Sequence, residues 1–71
     1  MKHFAIYTGP TLVQHVSQWL KRQGFTVLIE GVMRVWVEAD SADELLVALK
    51  KYGSGWSIRD IQQITSEIAL K

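Results

Sequence analysis

Residues 25–52 read FTVLIEGVMRVWVEADSADELLVALKKY, and this stretch decides the fold. Its first half, residues 25–30 and 32–40, is rich in β-branched and aromatic residues and is interrupted at Glu30-Gly31. Such a pattern predicts a β-hairpin. Apolar alternation assigns the buried positions to Phe25, Val27 and Ile29 in the first strand and to Met33, Val35, Val37 and Ala39 in the second. A two-residue turn would instead put Ile29 and Val32 on one face, so we expect a bulge beside Gly31.

The second half of the stretch predicts a helix. Ser41-Ala42-Asp43-Glu44 matches the capping box, with Ser41 as the N-cap and Glu44 reaching back to it. At 100° per residue, one stripe along this helix contains Ala42, Leu45, Leu46, Leu49 and Tyr52 and excludes Val47. Lys50 and Lys51 suit the last turn, and Gly53 ends the helix.

Towards the N-terminus, the sequence predicts a strand over residues 3–7 and a helix over residues 11–23. The turn Thr8-Gly9-Pro10-Thr11 separates the two elements. The helix is amphipathic, because Leu12, Val13, Val16, Trp19 and Leu20 form one apolar stripe. Gly24 follows as a left-handed cap.

Towards the C-terminus, the pattern supports two interpretations. Trp56 and Ile58 alternate as in a strand, whereas Ile61, Ile64 and Ile68 have helical spacing. We predict a bulged strand over residues 56–65, with a helical or frayed tail at 66–71, because a fourth strand would cover a sheet edge. The alternative is a final helix, which gives a βαββαα order with three strands.

The predicted order β-α-β-β-α-β indicates a single small α+β domain over residues 1–71. Within about 70 residues, this order is typical of the ferredoxin-like split βαβ sandwich, a four-stranded antiparallel sheet with two helices on one face. Apolar residues make up 48% of the chain, which suffices for one core and is incompatible with disorder by composition.

Composition also excludes several classes of function. The formal net charge is only +1, far below that of a dedicated duplex-DNA binder. The chain has no cysteine, and its two histidines, His3 and His15, have no supporting ligand pattern. No nucleotide-binding fingerprint or nucleophilic constellation is present. We therefore expect no enzyme activity, no cofactor and no metal. The sequence has no export signal and no membrane span, so we expect a cytoplasmic protein.

The most informative prediction concerns the sheet face that the helices leave uncovered. The strand residues expected to face the helices include Phe4, Ile6, Met33, Val35 and Ile58. Because successive strand residues point to opposite faces, the uncovered face is then expected to carry Ala5, Tyr7, Leu28, Arg34, Trp36 and Arg59. Exposed sheet faces are usually polar. Tyr, Trp and Arg are enriched at the centres of protein interfaces. The sequence thus predicts a binding surface of Tyr7, Leu28, Arg34, Trp36 and Arg59, used for a homodimer or for another protein.

Three alternatives remain open for this face. The aromatic residues can be a cross-strand surface pair without a partner. Residues 34–41, RVWVEADS, resemble the third-strand signature of the RNA-recognition motif, with Trp36 and Tyr7 at the stacking positions and Arg34 where that family has a second aromatic. The resemblance implies binding of single-stranded nucleic acid. Small-ligand sensing by a regulatory domain is the third alternative.

Overall fold

The computed structural model describes residues 1–64. In chain order the elements are β1 (Lys2–Tyr7), α1 (Val13–Arg22), β2 (Thr26–Glu30), β3 (Arg34–Ala39), α2 (Ala42–Tyr52), a 3₁₀ turn (Ile58–Asp60) and β4 (Ile61–Ile64). The predicted tail at 66–71 and residue 65 of the predicted last strand lie outside the described residues.

The four strands form one antiparallel sheet in the order β2-β3-β1-β4. β1 pairs with β3 on one side, where Ala5 lies opposite Trp36, and with β4 on the other, where Ile6 lies opposite Ile61. The predicted α+β class, with four antiparallel strands in one sheet and two helices, is confirmed. The three-stranded alternative is wrong, because Ile61–Ile64 pairs with β1 as a strand.

Both helices form one hydrophobic core with the strand residues that point to a single face of the sheet. The buried cluster contains Phe4 and Ile6 of β1, Val35, Val37 and Ala39 of β3, Ile61 of β4, Val13, Val16 and Leu20 of α1, and Leu45, Ala48 and Leu49 of α2. Trp19 joins the two helices, since its indole N–H donates to the carbonyl oxygen of Ala48 at 2.9 Å. Within residues 1–64, neither helix combines the length and the apolar character that crossing a bilayer requires.

The predicted helix signals correspond to observed ends, except that among the described residues no bond from the Glu44 side chain back to Ser41 completes the predicted capping box. The Ser41 hydroxyl accepts the backbone N–H of Glu44 at 3.2 Å and caps α2. Gly24 has a φ of +94°, the left-handed conformation expected after α1. The predicted start of α1 was early, because the helix begins at Val13 and Leu12 is its N-cap without a side-chain cap bond.

The hairpin differs from the prediction in where its irregularity lies. The register shifts between Val27 and Ile29, so the bulge is at Leu28 rather than beside Gly31. One inserted residue reverses the parity of every later position in the strand. Ile29 therefore lies opposite Trp36, away from the helices, and the prediction that it faces them is wrong.

The turn of the hairpin is also longer than predicted. The Gly31 N–H donates to the carbonyl oxygen of Arg34 at 2.8 Å, and β3 begins only at Arg34. Val32 and Met33 lie in this turn with 81% and 53% of their surface exposed. The predictions that the strand starts at residue 32 and that Met33 faces the helices are therefore wrong.

The last strand begins later than predicted. The Ser57 backbone N–H donates to Oδ2 of Asp60 at 2.9 Å, which closes the 3₁₀ turn where residues 58–60 were expected in a strand. Ile58 is consequently 47% exposed, and the prediction that it faces the helices is wrong. Ile61, the first residue of β4, supplies the buried isoleucine instead.

Candidate functional site

The sheet face opposite the helices, here called the open face, is defined by the strand register. Residues paired across neighbouring antiparallel strands lie on the same face. The open face thus contains Thr26 and Ile29 of β2, Arg34, Trp36 and Glu38 of β3, His3, Ala5 and Tyr7 of β1, and Gln62 and Ile64 of β4. It forms three rows across the sheet, with Trp36 in the central one.

The central row is apolar on three of its four strands. Trp36 lies between Ile29 and Ala5, and Gln62 follows on β4. Ala5 is fully buried although no helix covers this face, which shows how closely its larger neighbours surround it. Ile29 is 38% exposed, and Trp36 is half-buried. The centre of the open face therefore offers apolar surface to solvent beside a tightly packed alanine.

Gly31 explains where the Trp36 indole lies. A Cβ atom built on Gly31 would come within 2.6 Å of Cζ3 of Trp36, so the ring packs directly against the glycine backbone. The indole nitrogen is buried there and has no hydrogen-bond partner among residues 1–64. Burying an unpaired N–H costs free energy. The packing against Gly31 thus holds the indole ring in this position although its N–H has no hydrogen-bond partner among the described residues.

One end of the open face is cationic and aromatic. The Arg34 guanidinium carbon lies 4.7 Å from the centroid of the Tyr7 ring, within the range of a cation–π contact. The Tyr7 hydroxyl donates to Oε1 of Gln62 at 3.1 Å. Both contacts fix the orientation of Tyr7, which remains 37% exposed.

The other end of the open face is anionic. Nε2 of His3 lies 3.3 Å from Oε1 of Glu38, and both side chains are partly exposed. Ile64 of β4 is the partner of His3 on the far side. Arg34 and Glu38 are four residues apart on one strand, which is about 13 Å at 3.3 Å per residue. The open face therefore carries opposite charges on either side of Trp36.

The structure brings together three of the five residues predicted for this surface. Tyr7, Arg34 and Trp36 lie on adjacent strands of the open face. Leu28 is 36% exposed at the bulge and has no register partner in β3. Arg59 lies in the 3₁₀ turn before β4 and not on a strand, so strand parity no longer places it on the face.

The sequence prediction missed six members of the open face: His3, Thr26, Ile29, Glu38, Gln62 and Ile64. Ile29 was missed because the bulge that reverses its parity has no distinctive sequence signal. His3 and Glu38 share the parity of Ala5 and Trp36, so strand alternation alone would have found both.

Concavities lie away from the centre of the open face. One of them is a groove of about 500 Å³ at one end of the sheet, lined in part by Tyr7, Leu12, Tyr52, Trp56 and Asp60. Within the described part of the chain, no three His, Asp or Glu side chains are grouped as metal ligands would be.

Comparison of the chain with protein-family models, with curated proteins and with solved structures finds no match.

Proposed function

We propose that this chain is a small non-enzymatic protein-association module that binds a second copy of itself through the open face. The observation that carries the proposal is the group of exposed or half-buried apolar and aromatic side chains on a sheet face that both helices leave uncovered: Tyr7, Ile29 and Trp36. Aromatic residues and arginine are enriched at the centres of protein interfaces. Burial of these side chains would add apolar area to a domain whose own core is small.

The size of the open face predicts a weak dimer. The four strands of the face, about 4.8 Å apart and four to six residues long, project roughly 20 by 17 Å. Two such faces bury roughly 700 Å² in total, below the ~1,200 Å² at which standard specific interfaces begin. We therefore expect association at micromolar concentration.

We also infer that the fold is the ferredoxin-like split βαβ sandwich. Two observations support this assignment. β1 and β2 are both antiparallel to β3, so they are parallel to one another with β3 between them. β3 and β4 are related in the same way across β1. Each βαβ unit is thus split by a strand of the other unit, as in that sandwich.

Sedimentation of the full chain over a range of concentrations tests the proposed function. We expect a dimer for the wild type at micromolar concentration and a shift towards monomer for Trp36→Ser and for Tyr7→Ser, because both substitutions remove exposed aromatic area from the open face. Val47→Ser is the matched control, since Val47 is 58% exposed on α2 and lies outside the face.

Two results would contradict the proposed function. One is a wild type that stays monomeric throughout the concentration range. The other is a Val47→Ser variant that loses the dimer while the two open-face variants keep it. Because Trp36 is half-buried, circular dichroism must show that each variant is folded before its sedimentation is compared.

Single-stranded nucleic acid is the second candidate partner for the same face. The neighbouring Trp36, Tyr7 and Arg34 favour it, because bases stack on aromatic rings and on guanidinium planes. The Glu38 carboxylate disfavours it, since a phosphate backbone crossing the sheet would meet a negative charge. Titration with short oligonucleotides distinguishes the two functions. Nucleic-acid binding predicts a change in tryptophan emission that salt suppresses and that Trp36→Ala abolishes.

A further inference from the structure

We propose that the two copies pack open face to open face with their β3 strands antiparallel, so that Arg34 of each copy pairs with Glu38 of the other. The inference rests on the proposed self-association and adds its geometry. The observation that carries it is the alternation Arg34, Trp36, Glu38 along one strand and on one face, with an aromatic centre between opposite charges.

Symmetry limits how two such faces can meet. Aligned sheets pack with their strand directions within about 30° of each other, which leaves β3 either parallel or antiparallel to its copy. A dimer with a two-fold axis uses the same patch on both chains. For two faces in contact, that axis lies in the plane of the interface, either along the strands or across them.

Charge distinguishes the two orientations. An axis along the strands brings the two Arg34 side chains to one end of the interface and the two Glu38 side chains to the other, so like charges meet. An axis across the strands at the level of Trp36 places each Arg34 over Glu38 of the second copy. This orientation forms two pairs of opposite charge with the same apolar centre. The antiparallel arrangement is therefore the one that the charges favour.

Contacts within each chain already hold both charged groups in place. The Arg34 guanidinium rests on the Tyr7 ring, and the Glu38 carboxylate is held beside His3. Side chains that are ordered before binding lose less conformational freedom when the complex forms. The Arg34 guanidinium and the Glu38 carboxylate are thus already positioned for the intermolecular pairs before the dimer forms.

Single charge reversals test this geometry, and mixing the two variants checks that each can still associate. Arg34→Glu alone and Glu38→Arg alone each place like charges at both ends of the dimer, so we expect the dimer of each variant to weaken about tenfold or more. An equimolar mixture of the two variants restores opposite charges at both ends. We therefore expect the mixture to sediment as a heterodimer with nearly the affinity of the wild type.

The outcomes separate this geometry from the proposed function. A wild-type dimer whose two variants do not re-associate on mixing overturns the antiparallel arrangement and leaves self-association standing. Single variants that dimerise like the wild type overturn it as well. A monomeric wild type overturns both proposals.

The salt dependence of the wild-type dimer gives an independent check. The intermolecular pairs require its dissociation constant to rise several-fold between about 20 mM and about 500 mM salt. A dissociation constant that does not rise with salt overturns the pairing.

Discussion

Gly31 determines where the Trp36 indole can lie. A Cβ atom at residue 31 would come within 2.6 Å of Cζ3 of Trp36 and within 3.2 Å of the Arg34 carbonyl oxygen. Neither neighbour is the end of a flexible side chain, so an added methyl group must move a rigid ring or the backbone. We therefore expect Gly31→Ala to destabilise the fold by about 1–3 kcal/mol, as overpacking does.

Urea unfolding of Gly31→Ala beside Gly55→Ala checks this expectation. Gly55 is the matched control, because nothing lies within 4 Å of a Cβ atom built there. Equal stability of the two variants would contradict the described packing of Trp36 on Gly31.

At the scale of single residues, strand alternation placed four of its six predicted residues correctly on the open face. Tyr7, Arg34 and Trp36 could be predicted because their strands are regular around them. Ile29 could not, because the bulge at Leu28 reverses its side against the apolar alternation of the strand. Local preferences do not encode where along a strand an extra residue is accommodated.

Among the secondary-structure elements, α2 has the clearest start. Its N-cap is the Ser41 hydroxyl, which accepts the Glu44 N–H at 3.2 Å. Ser41→Ala removes this acceptor, so we expect a loss of about 1 kcal/mol. For a domain of this size that loss lowers the melting temperature by roughly 4–8 °C. Ser54→Ala, in the exposed turn after α2, is the control and should melt like the wild type. An unchanged melting temperature for Ser41→Ala would show that the cap contributes nothing to stability.

Some ends of the helices and strands can be predicted from the sequence, and others cannot. The α2 cap and the Gly24 terminus are local and chemically specific, and both were predictable. The last strand itself was predicted, but its start was not, because that start depends on the Ser57 to Asp60 turn and on which isoleucine reaches the core. Ile58 and Ile61 are equally apolar, and only tertiary packing selects Ile61 for burial.

For the molecule as a whole, the two sides of the sheet differ in whether they are covered. The helices bury one side of the sheet in a single core, whereas the other side keeps exposed apolar side chains between opposite charges. A patch with both properties is self-complementary under a two-fold rotation. The expectation of a partner rests on the aromatic residues of this face, whereas the charge pattern follows from the shared parity of Arg34, Trp36 and Glu38 on one strand.

NMR dilution tests the central claim of self-association through the open face most directly. Amide and indole N–H signals of the full chain are recorded from high concentration down to the low micromolar range. We predict concentration-dependent shifts at Ala5, Tyr7 and Trp36, and a constant indole signal for Trp19, whose N–H is bonded to Ala48 inside the helix pair. Signals that do not change on dilution, or changes confined to the helices, would contradict the proposed self-association.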